Sequence, residues 1–477
     1  MRNAYSVQTV RAAEHALMAV LPEGALMQRA AAGLAATCAG LLRRVYAARV
    51  GLLVGAGDNG GDALYAGARL ARRGARVSAV LVDPQRAHPA GLAALRRAGG
   101  RICEQLPARV DLVLDGLTGI GGYGGLRPAA AALAGQARAA RAAGAVVVAV
   151  DLPSGVDADT GEVAGAAVHA DVTVTFGAYK PALLIDPAAE RVGALRLVPI
   201  GLEAALPVVP DLQALQYADV AARLPAPGAS SDKYRRGVVG VTAGSARYPG
   251  AAVLAVAGAL RGGAGAVRYV GPAAGEVLAH YPETLVHEGT PAKAGRVQAW
   301  VVGPGLGDTR GAVTEVLASE VPVLVDADGL RGLDPEALRA RVAPTLLTPH
   351  AGEAAALLGV GREEVEASRL AAARELAARY GATVLLKGAT TLVADPGGGP
   401  VRVNPTGTPW LATAGSGDVL SGLTGSLLAA GLDPLDAGSV GAHLHGLAAR
   451  LAARRAPVTA HEVARALPRA WREVTGS

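Results

Sequence analysis

Several common protein classes are excluded by what the chain has little of. Cysteine occurs twice in 477 residues, at Cys38 and Cys103, too few for a disulfide framework or a thiolate zinc site. Phe, Trp and Tyr together make up 3% of the chain, so the stacking platforms that single-stranded nucleic-acid binders use are scarce. Lys+Arg exceed Asp+Glu by only 46 to 40, and no block of like charge occurs; the basic balance therefore gives no argument for a nucleic-acid partner. Apolar stretches such as residues 251–260 fall well short of the roughly 20 residues that span a bilayer, so no membrane association is expected. The opening MRNAYSVQTVRAAEH lacks the apolar core of a secretory signal, and a reducing cytoplasm is the expected compartment. Lysine is also scarce, occurring only at Lys180, Lys233, Lys293 and Lys387. A position that keeps Lys in an Arg-rich chain marks a place where a compact point charge is wanted.

Alanine and glycine, by contrast, are abundant, and the length predicts two or three domains. Short β-branched runs that end in glycine and lead into helical patterns recur at 49–57, 76–83, 111–117 and 145–153. That alternation predicts a parallel sheet covered on both faces, an α/β Rossmann-like first half. Between 199 and 237 the pattern breaks into LPVVP, LPAPG and SSDKYRRG, where the domain boundary is placed. The alternation restarts at 238–245, 266–271, 299–305, 321–329 and 382–388, predicting a second α/β domain that ends in helices. The expected division is 1–210 and 217–477.

Two groups of motifs carry chemistry. In the first half, GAGDNGGD (55–62) follows a strand and opens a helix, so its backbone N–H groups are free to bind an anion. Its match to G-x-G-x-x-G is weak alone, and Asp83 stands late for a ribose-binding acid. Asp58, Asn59 and Asp62 place oxygens in a loop that would otherwise cradle pyrophosphate, which points to a cation beside it. Asp115, Asp151 and Ser154 lie at further strand ends; each alone could be a cap, and together they form a candidate site. Lys180 in TFGAYKP would supply positive charge or a proton at the same edge, although a lone lysine is more often solvated. In the second half, AGSGDVLSG (414–422) runs from a loop into an apolar helix. Its N–H groups make an anion hole with the Asp418 carboxylate at the rim, an arrangement suited to phosphoryl transfer to a hydroxyl; a well-capped helix is the plainer alternative. Lys387, Gly388, Ala389, Thr390 and Thr391 end another strand with hydroxyls suited to phosphates. His350 and Glu353 make an incomplete metal site, while His443 and His445 are expected to be structural.

In this order, GAGDNGGD, DGLTGIGGYGGLRP, DLPSGVDADTG and TFGAYKP resemble the N-terminal domain of bifunctional NAD(P)H-hydrate repair enzymes over most of 1–210. The resemblance implies an epimerase acting on the C6 hydrates of NADH and NADPH with bound K+. It implies Asn59, Asp115 and Ser154 as potassium ligands. Asp58, Asn59, Gly60, Gly61, Asp62, Gly119, Ile120, Gly121, Gly122, Tyr123, Gly124, Gly125 and Asp151 would hold the hydrate, with Asp151 as proton carrier and Lys180 beside it. From about 217 onward, KYRRG, VTAGS, YPGAA, GPGLG, DADGL, TPHAGE, KGATT and NPTGTPWLATAGSGDVLSG resemble the ribokinase-like dehydratase domain of the same enzymes. This implies dehydration driven by ADP or ATP with Mg2+, and a homo-oligomer. Lys387, Gly388, Ala389, Thr390, Thr391 and Gly417 would contact the nucleotide, and Ala251, Gly305, His350 and Asp418 the hydrate. Departures from the family pattern are Asp58, Ala63, the 118–121 segment and Trp410, whose ring would shape the nucleotide pocket or pack the core. Two alternatives stay open on the residues: a small-molecule kinase of the ribokinase type, and a first domain that is a binding module.

Overall fold

The computed structural model describes residues 1–476. The chain divides into two compact units, one spanning Asn3–Leu212 and the other Gln213–Ser477 together with Met1–Arg2.

In the first unit seven strands pair parallel throughout. Their order is Arg101–Ile102, Arg76–Leu81, Arg49–Val54, Leu112–Gly116, Val146–Val150, Val172–Phe176 and Ala194–Val198. The middle strands are Val/Leu-rich and buried on both faces, as parallel strands between helix layers must be. The chain starts at Arg49–Val54, runs outward to one edge, and returns to the other side of its starting strand. The carboxyl ends of Arg49–Val54 and Leu112–Gly116 therefore flank the point where strand order reverses, the place where such sheets bind ligands.

Nine strands of the second unit lie in the order Val401–Asn404, Thr391–Ala394, Thr383–Leu386, Thr345–Leu347, Val323–Val325, Ala299–Val302, Val238–Thr242, Ala266–Val270 and Leu285–His287, and the short Leu212–Ala214 flanks Val401–Asn404. All pairs among the nine are parallel except the two that join Thr383–Leu386, Thr391–Ala394 and Val401–Asn404. The helix Ser416–Ala429 lies deep in this unit against Pro249–Arg261. The two backbones come so close that a Cβ at Gly422 would stand 1.9 Å from the Ala255 carbonyl oxygen and one at Gly258 2.2 Å from that of Val419. Only glycine fits such a crossing, which fixes where the amino end of Ser416–Ala429 emerges. No helix among the described residues is long and apolar enough to cross a membrane.

Candidate functional sites

Three residues, 55–57, separate the helix Asp58–Arg72 from Arg49–Val54, so its amino end opens at the switch point. The Asn59 Nδ2 donates to the carbonyl oxygens of Thr118 at 2.9 Å and Val150 at 2.6 Å, tying this helix to two further strand ends. Gly119 passes beside the same amide, where a Cβ would meet Asn59 Oδ1 at 2.7 Å. Asp115 is fully buried and accepts from the Ser154 N–H at 2.8 Å and the Ser154 hydroxyl at 2.6 Å. Burial pushes its carboxyl up to about 6 against those hydrogen bonds, and no basic side chain among the described residues pairs with it. Asn59, Asp115 and Ser154 are thus brought together, with two main-chain carbonyls added to them.

Asp151 follows Val146–Val150 with φ 65, a strained value for a residue with a side chain. Its Oδ1 receives the Lys180 ammonium, the Thr175 hydroxyl at 3.0 Å and the Phe176 N–H at 3.1 Å. Lys180, 1% exposed, also donates to the Thr175 hydroxyl and the Phe176 carbonyl, both at 3.1 Å. The plain reading of Lys180 as a solvated surface lysine is therefore overturned: burial beside a carboxylate gives it a partner and keeps it from water. Asp62 is buried with its Oδ1 unpartnered, and burial plus the charges of Asp151, Asp58 and Glu14 hold its carboxyl well above the ordinary range. Glu14 is raised by burial first, in a field set by Lys180, Asp151 and Asp58. Sequence reasoning missed Glu14; the available signal was a carboxylate on the buried stripe of Val7–Met18, next to Val10 and Ala13. Asp58, Gly121, Tyr123 and Gly124 stay open to solvent, Tyr123 at 88%, while the rest of 119–125 is half-buried. The Asp83 carboxylate accepts from the nearby Gln85 N–H and its carbonyl from the Arg86 N–H, both local contacts.

In the second unit Gly415, at φ 85, turns the chain into Ser416–Ala429. Lys387 follows Thr383–Leu386, and its Nζ lies 2.7 Å from Asp326 Oδ1 and 3.7 Å from Glu353 Oε2. A Cβ at Gly417 would be 3.4 Å from that ammonium, so cation and helix amino end face one spot. Burial, then the Asp326 charge, push the Asp418 carboxyl up to about 7, against Lys387. Burial alone would lower Lys387, but the carboxylates of Asp326, Glu353 and Asp418 outweigh it and leave the ammonium raised. Ala251 and Gly305 are adjacent, a Cβ at Gly305 standing 2.6 Å from that of Ala251. His350 is engaged locally: its Nδ1 accepts from Gly352 N–H and Glu353 N–H, and Glu353 returns to the His350 N–H at 2.7 Å, a reciprocal cap. Thr390 and Thr391 are buried, and Thr391 opens the antiparallel strand Thr391–Ala394 rather than ending the strand before Lys387. His443 and His445 are buried and pushed down to about 4 by that burial.

Residues 239–469 match the family model of the NAD(P)H-hydrate dehydratase, and residues 23–182 match that of the YjeF-related protein N-terminus. Bifunctional NAD(P)H-hydrate repair enzymes from Mycobacterium tuberculosis and Mycobacterium leprae are each 52% identical, over 91% and 95% of this chain and 90% and 94% of their own. The chain belongs to the family of bifunctional NAD(P)H-hydrate repair enzymes. The Escherichia coli repair enzyme is 36% identical over 85% of the chain. The ADP/ATP-dependent NAD(P)H-hydrate dehydratase of Bacillus subtilis, co-crystallised with ATP/Mg2+, superposes with a TM-score of 0.50 at 32% identity, covering 55% of this chain and 99% of that one.

Against the family pattern the departures acquire a physical reading. The Ala63 methyl is fully buried and packs at Gly116, where a Cβ would lie 2.7 Å away, so the extra carbon is matched by a missing one. Asp58 lies exposed in the first turn of its helix, where the helix dipole favours a negative charge. Trp410 does not pack the core; it stands 43% exposed on the short turn Pro409–Leu411. Asp326 was legible only as the end of a strand, and its place between Lys387 and the helix of Asp418 came from the fold.

Proposed function

We propose that this chain performs both halves of NAD(P)H-hydrate repair, residues 1–210 interconverting the C6 epimers and residues 217–477 dehydrating the S epimer with ADP or ATP. The observation that carries the second half is a carboxyl held near neutrality, Asp418, at a helix amino end that faces a lysine ammonium. In the step we assign, Asp418 takes the C6 hydroxyl proton as that oxygen bonds to the terminal phosphorus and the bond to the departing nucleotide breaks. The Gly417 N–H and Lys387 stabilise the charge on the transferred group. Loss of phosphate from C6 and of a proton from C5 then restores the dihydronicotinamide. Mg2+ would enter with the nucleotide phosphates, as it commonly does.

In the first half, Asp151 and Lys180 move the proton. Asp151, drawing a proton from Lys180, gives it to the C6 hydroxyl, which leaves as water while the N1 lone pair forms a C6–N1 double bond. Water then returns to the opposite face and gives up a proton to Asp151. The donor set at the switch point fits K+: one buried carboxylate without a cationic partner, with amide, hydroxyl and carbonyl oxygens around it. Asn59, Asp115, Ser154 and the carbonyls of Thr118 and Val150 would hold the ion, which when bound supplies positive charge beside the hydrate.

The deciding experiment supplies a mixture of both NADH hydrate epimers with ADP or ATP and magnesium, and follows reduced-nicotinamide absorbance. Full, nucleotide-dependent recovery is expected; recovery that stops at one epimer would remove the first half, and no recovery would remove the second. Two further results are expected. Asn59→Ala should abolish epimer exchange, followed chromatographically without nucleotide, and leave dehydration of the S epimer intact; unchanged exchange argues against the assigned ion site. The kcat/KM for dehydration should rise with pH along a limb centred near 7, because Asp418 must be ionised to accept the proton. A flat profile from pH 5.5 to 8.5 (about three units around that value) would remove Asp418 as the titrating base.

A further inference from the structure

The Asp326 carboxylate is 1% exposed, and its two oxygens are bound by groups that arrive from different elements. Oδ1 takes the Lys387 ammonium at 2.7 Å and Oδ2 the Ser421 hydroxyl at 2.6 Å. We propose that Asp326 is a positioning residue of the dehydratase, fixing Lys387 and the first turn of Ser416–Ala429 as one unit so that ammonium, Gly417 N–H and Asp418 meet the transferred phosphoryl group in register.

The backbone around Asp326 leaves it little room to shift. Its N–H donates to the Val302 carbonyl at 3.0 Å, and its own carbonyl accepts from Gly329. A Cβ at Gly303, φ 125, would stand 1.8 Å from the Asp326 carbonyl oxygen, so these strand ends touch and only glycine fits between them. The carboxylate is thus a fixed post at the centre of the sheet. Ser421 lies three residues after Asp418, on the same face of the helix. A hydrogen bond to Ser421 therefore sets the rotation of the turn that presents Asp418. Gly417 lies between the two, where a Cβ would be 3.4 Å from Lys387 Nζ and 3.9 Å from Asp326 Oδ2. Backbone, ammonium and carboxylate are thus within ordinary contact of one another at this point. A buried ion pair is weak evidence for stability alone, but a pair whose second oxygen holds the catalytic turn defines geometry.

Asp326 also acts on Asp418 through charge. The charged groups acting on Asp418 are Asp326, Lys387, Asp328 and Glu353, and after burial the Asp326 charge raises it most. Neutralising Asp326 therefore has a signature that loss of packing does not: the pH limb of dehydration moves down.

The inference rests on Asp418 as the base, and the test separates the two ideas. In the full chain, Asp326→Asn, which keeps size and shape, is expected to lower kcat for dehydration of the S epimer about 10- to 100-fold, in the range of a displaced catalytic group. Nucleotide KM should change little, and the limb should move to lower pH. Ser421→Ala, which removes one tether and keeps the charge, is expected to lower kcat with the limb unmoved. Wild-type kcat in Asp326→Asn, or a lowered kcat with the limb unmoved, overturns the proposal. Should Asp326→Asn fail to fold, Ser421→Ala decides: reduced kcat at unchanged thermal stability supports it, and wild-type kcat overturns it. Asp418→Asn is measured alongside, because activity retained there would instead sink the reading of Asp418.

Discussion

Replacing Asp418 by asparagine is expected to lower kcat for nucleotide-dependent dehydration by about 10²- to 10⁴-fold, the usual worth of a positioned proton acceptor, while nucleotide affinity stays near wild type. Asparagine keeps the outline of the side chain and the N–H groups of the helix amino end, so the anion site is preserved. It cannot take the C6 hydroxyl proton. The environment shows why a carboxylate was placed there: burial and Asp326 lift it to about 7, against Lys387. A base of that strength accepts a proton more readily than an ordinary aspartate and is about half ionised at neutrality. Single-turnover recovery of reduced-nicotinamide absorbance, with nucleotide binding measured separately by calorimetry, checks both parts. A variant that retains kcat within tenfold removes Asp418 from proton transfer. One that loses nucleotide binding as well shows that the carboxylate holds the site together rather than moving the proton.

The parts of this fold that were legible in the sequence are those written locally. The strands Arg49–Val54, Leu112–Gly116 and Val146–Val150 are Val/Leu-rich runs leading into glycine or aspartate, and their burial on both faces follows from composition; Arg76–Leu81, nearer the sheet edge, is legible from the same pattern but only partly buried. The pair Thr391–Ala394 and Val401–Asn404 escaped, because four-residue strands joined by DPGGGP carry too short a period to stand out. Asn59, Asp115 and Ser154 could be grouped from sequence because parallel strands deliver their ends to one edge. Glu14 could not, and Asp326, legible as a strand end beside the second site, gave no sign of its partners Lys387 and Ser421. Glu14 reaches the first site from a helix before the first Rossmann strand, and Asp326 is joined to residues 61 and 95 positions away. Such contacts are set by how sheet and helices pack, and no local spacing encodes them.

The same distinction governs Lys180, whose sequence context offered only a motif and whose partner lies 29 residues earlier. Lys180→Met is expected to destabilise the first unit by about 3–5 kcal/mol, the usual cost of leaving one member of a buried ion pair uncompensated. It should also lower epimer exchange about 10²- to 10⁴-fold, the range for loss of a group that moves a proton. The Thr175 hydroxyl and Phe176 N–H still reach Asp151 Oδ1, but both are neutral, and the carboxylate must protonate or draw in water. Asp151→Asn combined with Lys180→Met removes the uncompensated charge. The double variant should regain most of the lost stability, because a buried pair replaced by neutral groups of similar volume is often tolerated, yet it should recover no epimerase activity. Differential scanning calorimetry reads the stability term, and epimer exchange without nucleotide reads the activity. Dehydration of the S epimer in the same samples serves as the internal control. Were Lys180→Met to exchange the epimers at the wild-type rate, the pair would be a structural element alone. If the double variant were no more stable than Lys180→Met, the buried charge would not be the source of the loss. Joint restoration of stability and exchange would place the proton carrier elsewhere in the cluster, with Asp62, whose Oδ1 is buried and unpartnered, the next to replace.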